Sequence, residues 1–99
     1  MKYFKIYTNC CRVAKAYVEI TESAAMDCIY DSVAFEDWQY ENVETNEDDE
    51  LTADYLNKES DFVVNALKEA EEESFYCGDF YLYARPDDFN MYDIARNNC

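Results

Sequence analysis

Three groups of carboxylates punctuate this chain: Glu36, Asp37, Glu41 and Glu44; then Glu47, Asp48, Asp49, Glu50 and Asp54; then Glu69, Glu71, Glu72 and Glu73. Closely spaced carboxylates support three kinds of chemistry. They ligate hard cations, they share a proton as an acid–base pair, or they imitate phosphates before a basic surface. The first would need an EF-hand loop with glycine at its sixth position, and Gly78 is the only glycine. The second cannot be singled out, because 23 acids form many nominal pairs. The third asks for no catalytic residue.

The remaining reactive side chains narrow the field further. There is no His, which removes the commonest neutral-pH base, the Ser-His and Cys-His nucleophile pairs, and mixed Cys/His zinc sites. The five cysteines form no C-x-x-C. A thiolate zinc site would draw on Cys10, Cys11, Cys28 and Cys77, and the vicinal Cys10-Cys11 lacks the usual bite. They read better as small buried hydrophobes, with Cys99 exposed. No Gly-rich loop cradles a phosphate, and a net charge of −15 repels nucleic acid. The expectation is a binding protein and not an enzyme, with no metal and no cofactor.

Charge is unevenly distributed. Residues 1–15 hold Lys2, Lys5, Arg12 and Lys15 without an acid, whereas residues 17–57 hold thirteen acids without a base. A chain of 11.7 kDa exposes roughly 5,900 Å², or about one net charge per 390 Å². Duplex DNA carries roughly one per 107 Å² of its cylinder. An average surface of this protein is thus a poor imitation of DNA. Confining the acids to half of it gives about one per 155 Å², which is comparable. A phosphate-like surface therefore requires one-sided acids. A solvated acidic shell is the plain alternative.

Ninety-nine residues with ten Tyr, six Phe and Trp38 suffice for one core, so residues 1–99 are expected to form a single compact acidic domain. The charged, Tyr-rich start is unlike a signal peptide, and no apolar run reaches membrane-span length. A cytoplasmic protein without membrane contact is expected, and the odd cysteine count at irregular spacing fits that compartment.

Periodicity places these residues on elements. Residues 2–8 alternate as a strand, 9–12 read as a turn, and the β-branched run around 17–21 favours a second strand. Thr21-Glu22-Ser23 caps a helix with Met26, Ile29, Tyr30 and Val33 on one stripe. Residues 35–43 read as a strand, with Trp38 and Tyr40 opposite Asp37, Gln39 and Glu41. An acidic loop over 45–50 and a short helical turn over 51–57 follow. Ser60 or Asp61 then caps a helix with Phe62, Val63, Ala66, Leu67 and Ala70 inward, and Asn65, Glu69, Glu72 and Glu73 outward. Residues 75–85 read as a strand stopped by Pro86, and Asp87-Asp88 opens a last helix carrying Phe89, Tyr92 and Ala95. The expected fold is α+β: a small, mostly antiparallel sheet in the order β-β-α-β-α-β-α with helices on one face.

Acids belong at helix N-termini and bases at C-termini, yet Glu69, Glu71, Glu72 and Glu73 crowd a C-terminus and Asp31, Glu36 and Asp37 follow the first helix. Each misplaced acid costs about 0.3–1 kcal/mol, and rules broken without compensation point to function. With runs such as Glu36-Asp37-Trp38, Asn46 to Glu50 and Glu71-Glu72-Glu73, strong acidity and abundant Tyr, the chain resembles the small acidic DNA-mimic inhibitors of phages and mobile elements, of the anti-restriction and anti-CRISPR type. That resemblance lies in composition. It implies a stoichiometric inhibitor acting in the host cytoplasm, which engages a basic nucleic-acid-binding protein and no nucleic acid directly. The contact residues expected are the three carboxylate groups together with Tyr40, with Trp38 or Tyr55 as further aromatic anchors and Trp38 otherwise in the core. An acidic adaptor or regulatory subunit binding a non-enzymatic basic partner is the alternative. A homodimer is compatible with either.

Overall fold

Alternating side chains and one long amphipathic helix organise the chain. The computed structural model describes residues 1–8 and 14–90. The expected turn at 9–12, most of the expected last helix, and Cys10, Cys11 and Cys99 lie outside the described residues. Four strands, β1 (Lys2–Thr8), β2 (Ala14–Ile20), β3 (Phe75–Tyr76) and β4 (Tyr81–Arg85), form one antiparallel sheet in the order β2-β1-β4-β3. Successive side chains point to opposite faces. Tyr3, Leu82, Ala84 and Phe75 therefore meet the helices, while Phe4 and Ile6 pack with Tyr81, Tyr83 and Phe89. The β1–β2 register slips between Tyr7 and Thr8, an irregularity of the β-bulge kind.

Three helices follow β2, each started by a hydroxyl. Thr21 caps α1 (Glu22–Tyr30), Ser32 caps α2 (Val33–Asn42) and Thr52 caps α3 (Ala53–Glu72), each accepting a hydrogen bond from the backbone N–H three residues on at 3.1 Å. The buried Ser32 hydroxyl also donates to Ile29 O at 2.6 Å, which joins the end of α1 to the start of α2. Ala25 and Ile29 of α1, and Val63, Ala66 and Ala70 of α3, recur at helical spacing and close over the sheet. Small alanines let α3 lie close to β4.

The fold is α+β with an antiparallel sheet, and the described elements run β-β-α-α-α-β-β. Three expectations about elements are corrected. Residues 35–43 are mostly helix: Phe35, Trp38, Gln39 and Asn42 share the inner side of α2, while Tyr40 is 88 % exposed, so the ring alternation did not mark a strand. The expected helical turn and the helix capped at Ser60 or Asp61 are one 20-residue helix, capped earlier by Thr52. Residues 75–85 are two strands split by a turn in which Cys77 N donates to Phe80 O. Asp87 and Asp88 lie in a turn closed by Phe89 N to Pro86 O, and Asp87 pairs with the N-terminal amine at 2.8 Å.

The β3–β4 turn requires its glycine. Gly78 has φ +109°, and a Cβ there would stand 2.7 Å from Val33 Cβ. Next to it, Ala34 N donates to Cys77 O at 3.3 Å, so this turn seats the first residues of α2. Gly78→Ala should therefore lower stability by more than about 1 kcal/mol, read by denaturant unfolding. A variant as stable as the parent would show that the turn does not constrain α2.

Candidate acidic binding surface

Helical geometry sorts the carboxylates of α2. At about 100° per residue, Glu36, Asp37, Tyr40 and Glu41 cover the side opposite Phe35 and Trp38. All four are exposed. Glu36 lies in the first turn of its helix, where an acid is favourable, and Asp37 follows it. The expectation that these two are misplaced beyond the end of a helix is thus corrected, because a new helix starts at Val33.

The chain between α2 and α3 is ordered around Asn46. The Asn46 Oδ1 accepts from Asp48 N at 2.9 Å and from Glu50 N at 3.0 Å, while Asn46 N donates to Glu50 O at 2.8 Å. Thr45 bridges to Leu51, and Thr52 N donates to Glu44 O, so the loop closes on itself. Asp49 takes φ 61°, a left-handed conformation that Asp tolerates better than most residues. Glu44, Glu47, Asp48, Asp49 and Glu50 are all exposed on this loop, and Asp54 is exposed in the first turn of α3.

The third carboxylate group is divided. Spacing puts Asp54, Asp61, Glu69 and Glu72 on one flank of α3, whereas Glu71 falls on another side, toward Tyr3, whose pKa is raised by burial first, then by Glu22 and by Glu71. Glu73 is the C-cap, outside the helix. The helix is about 30 Å long, so Glu69, Glu72 and Glu73 lie at the far end from the loop. Arg85 occupies that far end. Its guanidinium donates to Ala70 O at 2.7 Å, to Glu71 O at 3.4 Å and to Glu73 O. A cation on the open carbonyls is what a helix C-terminus favours, so the supposedly uncompensated acids there do have a compensating base.

Between the two ends runs a cleft of about 300 Å³ lined by Trp38 and Asn42 of α2, by Lys58, Asp61, Phe62, Asn65, Ala66 and Glu69 of α3, and by Phe75. Its floor belongs to a ring cluster. Trp38 stacks on Tyr55 at 5.8 Å and lies 5.0 Å from Phe62 and 5.6 Å from Phe35, and Phe62 meets Phe75 at 6.1 Å. Trp38 is half-buried, hence part core and part cleft wall. Tyr55 is 0 % exposed, which corrects its expected use as a surface anchor. Its hydroxyl finds no partner of good geometry. Burial raises its pKa foremost, with Gln39 lowering it and Glu59 raising it. Asp61, Asn65 and Asn42 were not expected to contribute to a site. Their signal, polar residues at intervals of four beside Trp38 and Phe62, was readable as a plain outer helix face or a cap.

Among the described residues the one ion pair joins the N-terminal amine to Asp87. Among the described residues, no cation thus lies within 4.0 Å of the carboxylates of α2, the loop and α3. Lys5 does not reach them; its Nζ lies 4.3 Å from the centroid of Phe80, and a hydrogen bond with Tyr7 raises its pKa. No group of three or more acidic or cysteine side chains among the described residues converges to hold a metal ion. No helix among them is long and apolar enough to cross a membrane.

No family model, curated protein or solved structure matches the chain.

Cys77 is 1 % exposed, and burial pushes its thiol from 9.0 up to about 12, which keeps it protonated and poorly nucleophilic at neutral pH. Burial raises Tyr3 and Tyr55 likewise. The folded state holds these protons more tightly than the unfolded chain, so stability is intact below pH 9.0 and falls as pH rises toward about 12. In melting curves across that window, Cys77→Ala should show a shallower decline than the parent. An unchanged slope would remove Cys77 as a contributor.

Proposed function

We propose that the chain is a stoichiometric inhibitor that presents a DNA-like acidic surface to a basic nucleic-acid-binding protein such as a nuclease, restriction enzyme or CRISPR effector. The observation that carries this reading is that the exposed carboxylates on α2, on the Asn46-centred loop and on the flank of α3 have no ion-pair partner among the described residues. A protein that neutralised its own acids would offer a cationic partner little. The loop's internal hydrogen bonds add pre-organisation, because the backbone that carries four adjacent carboxylates need not be ordered on binding.

Such a surface acts by summation. Exposed ion pairs contribute about 0.2–1 kcal/mol each, while a collective field raises association rates toward 10⁸–10⁹ M⁻¹s⁻¹ at low salt. The contact would include Glu36, Asp37, Tyr40, Glu41, Glu44, the four loop acids, Asp54, Glu69 and Glu72, with Glu71 and Glu73 at its margin. Tyr40 is the exposed ring within the α2 patch and supplies an aromatic contact.

The test is affinity capture from lysate at low and high salt, followed by competition of each captured protein with duplex DNA. Captured proteins should be nucleic-acid-binding and should be displaced by the duplex. Neutralising Glu47, Asp48, Asp49 and Glu50 together should slow association at least about tenfold at low salt, whereas Glu72→Gln alone should change it less than about twofold. Partners that ignore DNA and salt would instead favour the acidic adaptor. Loss of binding on changing one carboxylate, with the loop variant silent, would mark a discrete site.

A further inference from the structure

The cleft between α2 and α3 combines features that bulk acidity does not explain. Trp38 and Phe62, packed on one another with ring centroids 5.0 Å apart at 31°, both line it. Along its α3 wall Asp61, Asn65 and Glu69 recur every fourth residue, about 6 Å apart along the axis. The carboxylates of Asp61 and Glu69 thus stand one turn to either side of the Asn65 amide. A volume of about 300 Å³ lies at the small end of ligand pockets, enough for one side chain and small for a cofactor.

A purely apolar ligand would leave the two carboxylates and the amide unsatisfied. An anion would meet two negative charges against the single positive charge of Lys58. A flat cation answers every feature, since guanidinium stacks on aromatic faces and takes carboxylates as a planar fork of donors. Lys58 does not block it: eleven residues of helix, about 16 Å, separate Lys58 from Glu69, so the Asn65–Glu69 end is open to a cation. We propose that this cleft is the seat of one arginine side chain of the basic partner, its guanidinium against the Trp38–Phe62 pair and hydrogen-bonded to Asn65 and Glu69, with the charge of Asp61 one turn beyond. The inference rests on the reading of the acidic surface as a partner's docking face. It adds a specific anchor to a diffuse field, and arginine is enriched among interface hot spots.

Trp38 is the only tryptophan, so its fluorescence reports the cleft directly. The experiment titrates the whole chain with N-acetyl-arginine amide and repeats the titration with N-acetyl-lysine amide and with inorganic phosphate. A saturable change with the arginine amide is expected, and affinity for the lysine amide should be at least about threefold lower because an ammonium cannot stack or fork. Glu69→Gln should weaken arginine-amide binding at least about threefold, and Asp61→Asn should weaken it less. Glu19→Gln removes the same charge on β2, away from the docking face, and should leave it unchanged, while Lys58→Gln should bind equally or more tightly. These side chains are exposed, and melting curves check that each variant is folded. Equal losses in Glu19→Gln and Glu69→Gln would overturn the proposal as bulk charge. A Trp38 response to phosphate that Lys58→Gln abolishes would overturn it in favour of an anion. No partner enters this titration, so its failure alongside DNA-competed capture would remove the cleft and leave the inhibitor reading. The reverse pattern would keep the cleft and remove that reading.

Discussion

The rings of Phe35, Trp38, Tyr55, Phe62 and Phe75 hold together the part of the molecule that carries most of its unpaired charge. The second half of α3 rests on the sheet through Val63, Ala66 and Ala70, while Tyr55 and Phe62 in the first half meet rings of α2. Repulsion between neighbouring acids acts to push α2, the loop and α3 apart. Magnitudes decide the outcome: a like-charge pair one helical turn apart costs about 0.2–0.5 kcal/mol, whereas burying one large apolar side chain contributes about 1.5–3 kcal/mol. A few aromatic contacts therefore outweigh several such pairs.

The two ends of α3 are treated differently. At the start, Thr52 caps the helix and Asp54 sits in the first turn, where the dipole favours it. At the finish, Arg85 crosses from the end of β4 to the open carbonyls and lies 4.9 Å from the ring of Tyr83. Glu69 to Glu73 therefore do not destabilise α3 without recompense. What favours a partner is instead the lack, among the described residues, of side-chain ion pairs on α2, the loop and the α3 flank.

Much of the fold was legible because strand alternation is short-range. Leu82 and Ala84 against Tyr81 and Tyr83, the Thr21 cap and the inward Val63, Ala66 and Ala70 all emerge as the pattern implies. The segment around Trp38 was not legible, since Trp and Tyr favour strands and Tyr40 mimicked an alternating face. What decides it is the Ser32 cap and the packing of Phe35 and Trp38 against Phe62, a residue 24 positions after Trp38. The acids were easy to find and their grouping was not, because only the single long α3 shows that Glu71 leaves the flank of Glu69. The cleft was invisible for the same reason: Trp38 and Asn65 are brought together by tertiary packing alone.

Docking of a basic protein on α2, the Asn46 loop and the α3 flank is tested best by a residue-resolved amide NMR footprint of this chain with a DNA-competed partner, at low and moderate salt. Perturbations are expected over residues 36–54 and at Asp61, Asn65, Glu69 and the Trp38 indole, fading with salt, and none along β1 and β2. A footprint centred on the tyrosines of the sheet, Tyr76, Tyr81 and Tyr83, and insensitive to salt would contradict it.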